Sequence, residues 1–283
     1  MPTSGLLARL PSPPAGGTGW PWTEETPPAV YASPPESGRW PRLSIVCPSF
    51  RQGRFIEETI RSVLLQNYPA LEFIVMDGGS DDETVSILEK YSPWLAHWES
   101  QPDHGQSHAL NKGFARATGE LFGWINSDDY YQPGAFAAVA RRYRPGRREL
   151  LFGDYDVRRG EEPALRQVRL LPAFAFQVEV GGRILPSHAT FWPRLVHETF
   201  NESLQFTMDA DLFKRFGRAG VQPRHVAQSL GVFREHPSAK TSTLADIASR
   251  EMHVWFAASP WYYKPLHRLS RAIDRLRQLQ RKP

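Results

Sequence analysis

Short apolar runs and amphipathic segments alternate along residues 42–145. Apolar runs bounded by turn residues indicate strands, and apolar side chains three or four positions apart indicate helices. The pattern predicts strands at Leu43–Cys47, Leu71–Met76, Trp94–Glu99 and Leu121–Ile125, and helices at Phe55–Gln66, Asp82–Tyr91, Ser107–Ala117 and from Pro133 to Tyr143. Strands that alternate with helices in this way predict an α/β fold whose parallel sheet is covered by helices on both faces.

The alternation becomes irregular after residue 145. Further strands are predicted at Leu150–Val157, Gln167–Leu171, Ala189–Trp192 and Ala227–Phe233, and helices at Asp209–Ala219 and Leu244–Ala258. Because few helices separate these strands, this half is expected to extend the same sheet in a mixed arrangement. Residues 42–258 are therefore predicted to form one domain with two halves, 42–145 and 146–258.

The first 41 residues differ in composition from the rest. Nine of the chain's 25 prolines lie in the first 40 residues. Proline lacks an amide donor and disfavours helix in the residue before it, so residues 1–41 are predicted to be an extended, mostly disordered arm. The aromatic residues Trp20, Trp22, Tyr31 and Trp40 leave a second interpretation open, in which the arm docks on the body or on a partner.

Charge and cysteine content exclude several classes of protein. Lys and Arg total 34 against 30 Asp and Glu, a net charge of +4, and the basic residues concentrate near the C-terminus. A nucleic-acid-binding fold would carry its basic excess on the folded body, so no nucleic-acid partner is expected. The single cysteine excludes a disulfide framework. No apolar stretch suits a membrane span or a secretory signal, so a cytoplasmic location is expected.

Polar clusters follow three of the predicted strands. They are Pro48-Ser49-Phe50, Asp77-Gly78-Gly79-Ser80 and Ser127-Asp128-Asp129. Ligands of open α/β sheets bind at the carboxyl ends of the strands, which is where these clusters lie. Adjacent carboxylates can hold Mg²⁺ or Mn²⁺, although each cluster taken alone is also an ordinary turn. The first strand is followed by neither a dinucleotide fingerprint nor a phosphate-loop motif.

An ordered set of motifs over about residues 42–240 resembles family 2 glycosyltransferases. The set comprises Leu43–Phe50, Met76–Asp81 with Thr84, Gly105–Gly113, Ala117–Gly119, Asn126–Asp129, His188–Trp192, Asn201–Leu204 and Met208–Leu212. The resemblance implies a GT-A fold, in which a Rossmann-like sheet binds a nucleoside-diphosphate sugar and a divalent metal. It also implies transfer of the sugar with inversion at the anomeric carbon.

The resemblance assigns roles on the donor side. Pro48, Ser49 and Phe50 would line the nucleotide-base pocket, and Asp77 would bond the base or the ribose. Asp103 and Lys112 would lie near the sugar nucleotide. Asp128 and Asp129 match the family's acidic motif, here Ser-Asp-Asp rather than Asp-x-Asp; Asp128 would contact the ribose or sugar and help to hold the metal, which Asp129 would bind.

The resemblance also names a catalytic base and its neighbours. Asp209 occupies the position of the family's catalytic carboxylate, with Asp211 as second choice; the alternative is a carboxylate that interacts with a helix dipole. His236 would contact the metal or the diphosphate, or is a solvated loop histidine. Arg234 would pair with phosphate. His188 would line the acceptor cleft, or is a hydrogen-bonded residue at a strand end.

Residues 259–283 are predicted to form a basic amphipathic helix. Its apolar stripe comprises Leu266, Leu269, Ile273, Leu276 and Leu279, and Trp261-Tyr262-Tyr263 precede it. Such a helix can lie on an anionic membrane surface or pack against the body with a solvated basic face.

The function expected from these observations is transfer of a sugar from a nucleoside diphosphate, UDP being favoured, to a hydroxyl acceptor. The acceptor would be a glycan or a lipid-linked molecule in polysaccharide or glycolipid assembly, and peripheral membrane contact is a further expectation. Two alternatives stay open: a nucleotidyltransferase that makes sugar nucleotides, and a degenerate sugar-nucleotide-binding scaffold.

Overall fold

The computed structural model describes residues 5–160, 162, 164–170, 175–180, 185–257 and 259–279. Strands β1–β9 span Leu43–Ser49, Leu71–Asp77, His97–Ser100, Leu121–Trp124, Tyr130–Tyr131, Glu149–Arg159, Leu165–Val168, Thr190–Pro193 and Gln222–Glu235. Helices α1–α9 span Gly53–Leu64, Thr84–Tyr91, Gln106–Arg116, Ala135–Arg142, Ala175–Glu179, Met208–Arg218, Lys240–Thr243, Ala245–Ala257 and Tyr263–Leu279.

The described strands form one sheet in the order β3-β2-β1-β4-β8-β6-β9-β5, and β7 pairs with β6 off this path. Strands β3, β2, β1 and β4 are parallel. Beyond β4 the sheet becomes mixed, because β8 is antiparallel to both β4 and β6. This confirms the α/β fold with a mainly parallel half and a mixed extension.

Alternating side chains of the central strands build a core on each face of the sheet. Ile45 and Cys47 of β1 pack in the cluster that contains Ile56 and Ile60 of α1. Val46, between them, packs in the opposite cluster with residues of α3 and α6. Helices therefore cover both faces, and the strand ends are left free to form a cleft.

Most predicted elements are present with shifted ends. The third strand is short, because residues 92–94 form a 3-10 turn and the strand begins only at His97. The last strand is longer than predicted, since it begins at Gln222 and pairs with β6 along nearly its whole length. Leu171 and Ala258, the final residues of two predicted elements, lie outside the described residues.

The N-terminal segment corrects the expectation of disorder. Residues 5–41 pack on the body, with Tyr31 and Trp40 buried and in edge-to-face contact at 5.0 Å. The buried guanidinium of Arg61 donates to the carbonyls of Pro11, Pro21 and Trp22 at 2.7–3.0 Å. Proline removes a donor but keeps its carbonyl acceptor, so a proline-rich segment can be held by a cation from outside it.

The start of α9 packs on the body, and two large apolar side chains, one before α9 and one within it, are exposed. The hydroxyl of buried Tyr263 donates to Glu179 Oε1 at 2.7 Å. Trp261 and Leu269 are 85% and 50% exposed. The side chains of Leu276 and Leu279, which belong to the predicted stripe, lie outside the description, as do residues 280–283. Within the described part of the chain, no helix has the length and apolarity needed to cross a membrane.

Candidate active site

A cavity of about 650 Å³ opens at the carboxyl ends of the parallel strands. Its walls come from the loops after β1, β2, β3 and β4, the loop before α6, and the segment that contains α7. Of the residues predicted for the site, Pro48, Ser49, Phe50, Asp103 and Asp128 line it. The sheet therefore brings most of the predicted donor side to one place.

The loop between β3 and α3 forms one wall of this cavity. Gly105 has a φ of 102°, in the region that favours glycine, and its N–H donates to Asp103 Oδ1 at 2.7 Å. Opposite this wall lie Glu202, Leu204 and Gln205 of the loop before α6. Residues of the two predicted halves, 42–145 and 146–258, thus face each other across the cavity.

The two adjacent carboxylates of the acidic motif point in different directions. Asp128 lines the cavity, and its Oδ2 lies 3.2 Å from His236 Nε2. Asp129 is 1% exposed, and its Oδ1 accepts from the Arg234 backbone N–H at 3.0 Å. Asp129 is not among the residues that line the cavity, and its predicted role as a metal ligand stays a prediction.

Asp129 lies instead in a buried polar pocket. Its Oδ2 has no hydrogen-bond donor and lies 3.6 Å from His188 Nδ1. Burial, and secondarily the charge of Asp128, raises the pKa of Asp129 well above its usual range. Burial also lowers the pKa of His188 to about 3, so that imidazole is neutral. His188 is 4% exposed and packs behind the site rather than in its lining.

Arg234 contacts the acidic motif inside the protein, and its predicted pairing with phosphate stays a prediction. Its side chain is 5% exposed and pairs with Glu58 at 2.5 Å. Its Nη1 donates to the backbone carbonyl of Asp128 at 2.8 Å, and its guanidinium stacks on Phe55 and Tyr130. These contacts occupy Arg234 inside the protein and fix the position of Asp128.

Asp77 and Lys112 are also engaged away from the cavity. Both oxygens of Asp77 accept hydrogen bonds, from the Gly79 and Ser80 N–H groups and from the Ser80 and Ser100 hydroxyls, at 2.6–3.1 Å. Lys112 Nζ pairs with Glu99. Neither residue lines the cavity, so Asp77 shapes the loop that carries Gly78, and Lys112 braces α3 against β3.

Asp209 and Asp211 differ although both lie in the first turn of α6. Asp209 Oδ1 accepts from the Ala210 N–H at 2.7 Å. Burial raises the pKa of Asp209 from 3.8 to about 6. Asp211 pairs with Arg215 at 3.0 Å, one helical turn later. The geometry thus gives Asp209 the properties of a proton acceptor near neutral pH and Asp211 those of a helix-surface ion pair.

Sequence reasoning missed one cation in the cleft. Lys240 lines the cavity, and its Nζ donates to Gln106 Oε1 at 2.6 Å and to the Gln205 carbonyl at 3.0 Å. Burial lowers the pKa of Lys240, against the opposing effects of the Asp128 and Asp209 charges. The sequence feature that could have identified Lys240 is its position in the Pro-Ser-Ala-Lys segment, four residues after the predicted site residue His236.

A cleft of this kind, at the carboxyl ends of the parallel strands, is typical of α/β proteins that bind a ligand at the edge of an open sheet. The family profile described as glycosyl transferase family 2 matches residues 44–212, more than half of the chain. The chain therefore belongs to glycosyl transferase family 2.

Curated relatives include uncharacterized glycosyltransferases of bacteria. An uncharacterized glycosyltransferase of Mycobacterium tuberculosis is 38% identical over 92 residues, which cover 32% of this chain and 35% of the relative. One from Rickettsia felis is 26% identical over 209 residues, covering 67% of this chain and 33% of the relative. The chain thus spans about a third of the length of the curated relatives it matches.

Solved structures share the fold at low sequence identity. A mannosyltransferase, PcManGT from Pyrobaculum calidifontis in complex with GDP-Man and Mn²⁺, is 18% identical with a TM-score of 0.62, over 85% of this chain and 72% of that one. S. aureus TarS 1–349 in complex with UDP-GlcNAc is 17% identical with a TM-score of 0.54, over 71% and 61%. These likenesses confirm the GT-A fold.

Proposed function

We propose that this protein transfers a sugar from a nucleoside-diphosphate sugar to a hydroxyl group with inversion at the anomeric carbon. The observation that carries the proposal is a cavity lined by Asp128 and Lys240. His236 and Asp209 do not line it, but His236 Nε2 lies 3.2 Å from Asp128 Oδ2, and the charge of Asp209 acts on Lys240. Family membership and neighbours that bind UDP-GlcNAc or GDP-Man support a sugar nucleotide as donor.

The loop after β1 is the proposed binding site for the base of the donor nucleotide. Phe50 is 53% exposed at the cavity, beside Pro48 and Ser49. An exposed aromatic ring offers a stacking surface for a base, as in other nucleotide-binding proteins. UDP is the favoured nucleotide and GDP the alternative, and thermal stability with UDP-GlcNAc and with GDP-mannose distinguishes them.

A divalent metal fits between Asp128 and His236. Neighbouring ligands of an octahedral ion with bonds of about 2.1 Å lie about 3 Å apart, close to the 3.2 Å between Asp128 Oδ2 and His236 Nε2. Asp128 and His236 would therefore hold Mg²⁺ or Mn²⁺. When bound, the ion neutralises charge on the departing diphosphate.

The chain's own residues perform the remaining steps. The Asp209 carboxylate accepts the proton of the acceptor hydroxyl while the acceptor oxygen attacks the anomeric carbon and the bond to the diphosphate breaks. Lys240, which lines the cavity, pairs with the diphosphate. An attacking group on the face opposite the leaving group inverts the anomeric configuration.

The acceptor and the cellular location form part of the same proposal. We infer a glycan or lipid-linked acceptor in polysaccharide or glycolipid assembly, a cytoplasmic location and peripheral contact with an anionic membrane. Exposed Trp261 and Leu269, beside the exposed basic residues Lys264, Arg268 and Arg271, support this contact. A Trp261→Ala/Leu269→Ala variant should bind anionic vesicles more weakly, and unchanged sedimentation with vesicles contradicts the membrane contact.

The donor proposal is tested by the thermal stability of the protein with nucleotide sugars. UDP-GlcNAc or GDP-mannose with Mn²⁺, at about a hundred times Kd, should raise Tm by roughly 5–10 °C. Asp128→Asn should lose the Mn²⁺-dependent part of this shift. No shift with any nucleotide sugar in the wild-type protein refutes the donor assignment.

Asp129→Asn is the matched control for the metal site. Asparagine can keep the hydrogen bond from the Arg234 N–H, and its amide nitrogen would face the neutral His188 Nδ1. The Mn²⁺-dependent shift should therefore survive in Asp129→Asn. The reverse pattern, in which Asp129→Asn loses the Mn²⁺-dependent shift in Tm and Asp128→Asn retains it, would show that Asp129 binds the metal instead of Asp128.

A further inference from the structure

We propose that His104, His108 and Glu202 form a second metal site, at the mouth of the cavity, which takes a transition ion of the Zn²⁺ class. Each residue offers one donor atom, and the three atoms lie within 4.8 Å of one another. The site is distinct from the pair of Asp128 and His236 and shares no residue with it.

Hydrogen bonds around the cluster leave the required atoms available. The His104 backbone N–H donates to His108 Nδ1 at 3.3 Å, which leaves Nε2 of His108 as the metal ligand. The two imidazole rings are stacked, with centroids 4.8 Å apart. Glu202 Oε1 accepts from Asn111 Nδ2 at 2.7 Å, which orients the carboxylate and leaves Oε2 for the ion. Such outer contacts orient metal ligands and tune their affinity.

The donor set selects the kind of ion. Two imidazoles and one carboxylate are ligands that zinc uses with water in the fourth position, whereas Mg²⁺ prefers oxygen ligands alone. Zinc bonds of about 2.0–2.1 Å place tetrahedral donor atoms about 3.4 Å apart, so the cluster must contract by at most about 1.5 Å. His104 and Glu202 are exposed side chains, which can rotate by that amount.

An ion bound here joins the two walls of the cavity. His104 belongs to the loop before α3, and Glu202 to the loop before α6, and both line the cavity. Asn111 already connects these elements, since its side chain bonds the Phe200 N–H at 2.7 Å and the Phe200 carbonyl at 3.0 Å. A metal would add a second connection between these elements, and it would hold residues 200–205 against residues 104–108.

Calorimetric titration with Zn²⁺ in excess Mg²⁺ tests the site in the full chain, without reference to glycosyl transfer. The wild-type protein should bind one Zn²⁺ at this site, and His104→Ala/His108→Ala should bind it at least tenfold more weakly. His253→Ala, which removes an exposed histidine of α8, is the matched control and should bind normally. Asp128→Asn should also keep Zn²⁺ binding, which separates this site from the donor metal.

Hydrogen exchange measures the connection between the walls. Zn²⁺ should slow amide exchange in residues 200–205 of the wild-type protein and leave it unchanged in His104→Ala/His108→Ala. Undiminished Zn²⁺ affinity in the double variant, or loss of all Zn²⁺ binding in Asp128→Asn, overturns the proposal. Zn²⁺ binding without slower exchange overturns the connection between the two walls.

Discussion

Replacing Asp209 by Asn should separate its catalytic role from its cost to stability. The substitution keeps the shape of the side chain, and the amide oxygen can still accept the hydrogen bond from the Ala210 N–H. It removes the charge and the capacity to take a proton. Loss of a general base lowers rates by about 10²–10⁴-fold, so kcat should fall by at least 100-fold while donor affinity stays nearly constant.

The same substitution should make the protein more stable at high pH. The pKa of Asp209 rises from 3.8 to about 6 on folding, so the folded state opposes ionisation of this carboxyl. The difference corresponds to at most about 3 kcal/mol. This cost is absent below about pH 3.8, grows as the pH rises towards 6, and is complete above it. Asp209→Asn should therefore gain up to about 3 kcal/mol in unfolding free energy at pH 8 and little at pH 4.

Urea unfolding at the two pH values measures this gain, and release of nucleoside diphosphate measures kcat. Asp211→Asn is the matched control on the same helix turn. Because Asp211 pairs with Arg215 on the helix surface, its loss should cost only about 0.3–0.5 kcal/mol and leave kcat intact. An equal effect of Asp209→Asn at both pH values would refute the stability reasoning. A normal kcat in that variant would show that another group is the base.

Three further substitutions test other parts of the structure. Lys240→Met should weaken binding of the nucleoside diphosphate at least tenfold, as measured by titration. The control Lys90→Met, which breaks an ion pair with Glu57, should bind normally. Equal affinities of Lys240→Met and the wild-type protein refute the diphosphate contact. Arg61→Met should cost about 3 kcal/mol and speed proteolysis within residues 5–41; unchanged cleavage would contradict the clamp. Burial alone would raise the pKa of Glu72, but hydrogen bonds from Ser44 and Thr118 outweigh it and lower the pKa below 4.5. Glu72→Gln should therefore destabilise the protein at pH 7, and urea unfolding should show that difference shrinking as the pH falls below 4.5; a constant difference contradicts the role of the charge.

The fold was predictable from the sequence where local pattern and burial agree. Strands β1 and β2 are buried on both faces, and such strands appear as continuous apolar runs bounded by polar turns. The aromatic residues Tyr31 and Trp40, which are buried in the structure, were the local signal that the N-terminal segment could dock on the body. The contribution of Arg61 was not predictable, because Arg61 lies 39–50 residues away from the carbonyls it binds. Local composition carries no information about a partner at that distance.

The site was predictable at the level of loops but not of side-chain direction. The polar clusters after β1 and β4 do line the cavity, as the rule for strand ends implies. Which of two adjacent aspartates faces the cleft depends on backbone geometry that the pair itself does not encode. Lys240 was missed for a related reason. The helix α7 follows β9 in sequence, and tertiary packing, which the local sequence pattern does not describe, brings it to the cavity.

The different orientations of the Asp128 and Asp129 carboxylates follow from the contacts around them. Arg234 bonds both residues at once, through its guanidinium to the Asp128 carbonyl and through its N–H to the Asp129 carboxylate. Thr59 of α1 also holds this turn, because its hydroxyl donates towards the carbonyls of Ser127 and Asp129. The backbone is thereby fixed on both sides of Asp128, whose carboxylate is the part of the turn that remains directed at the cavity. In the proposed metal site, Asp128 would therefore be the ligand, whereas the Asp129 carboxylate accepts the Arg234 N–H.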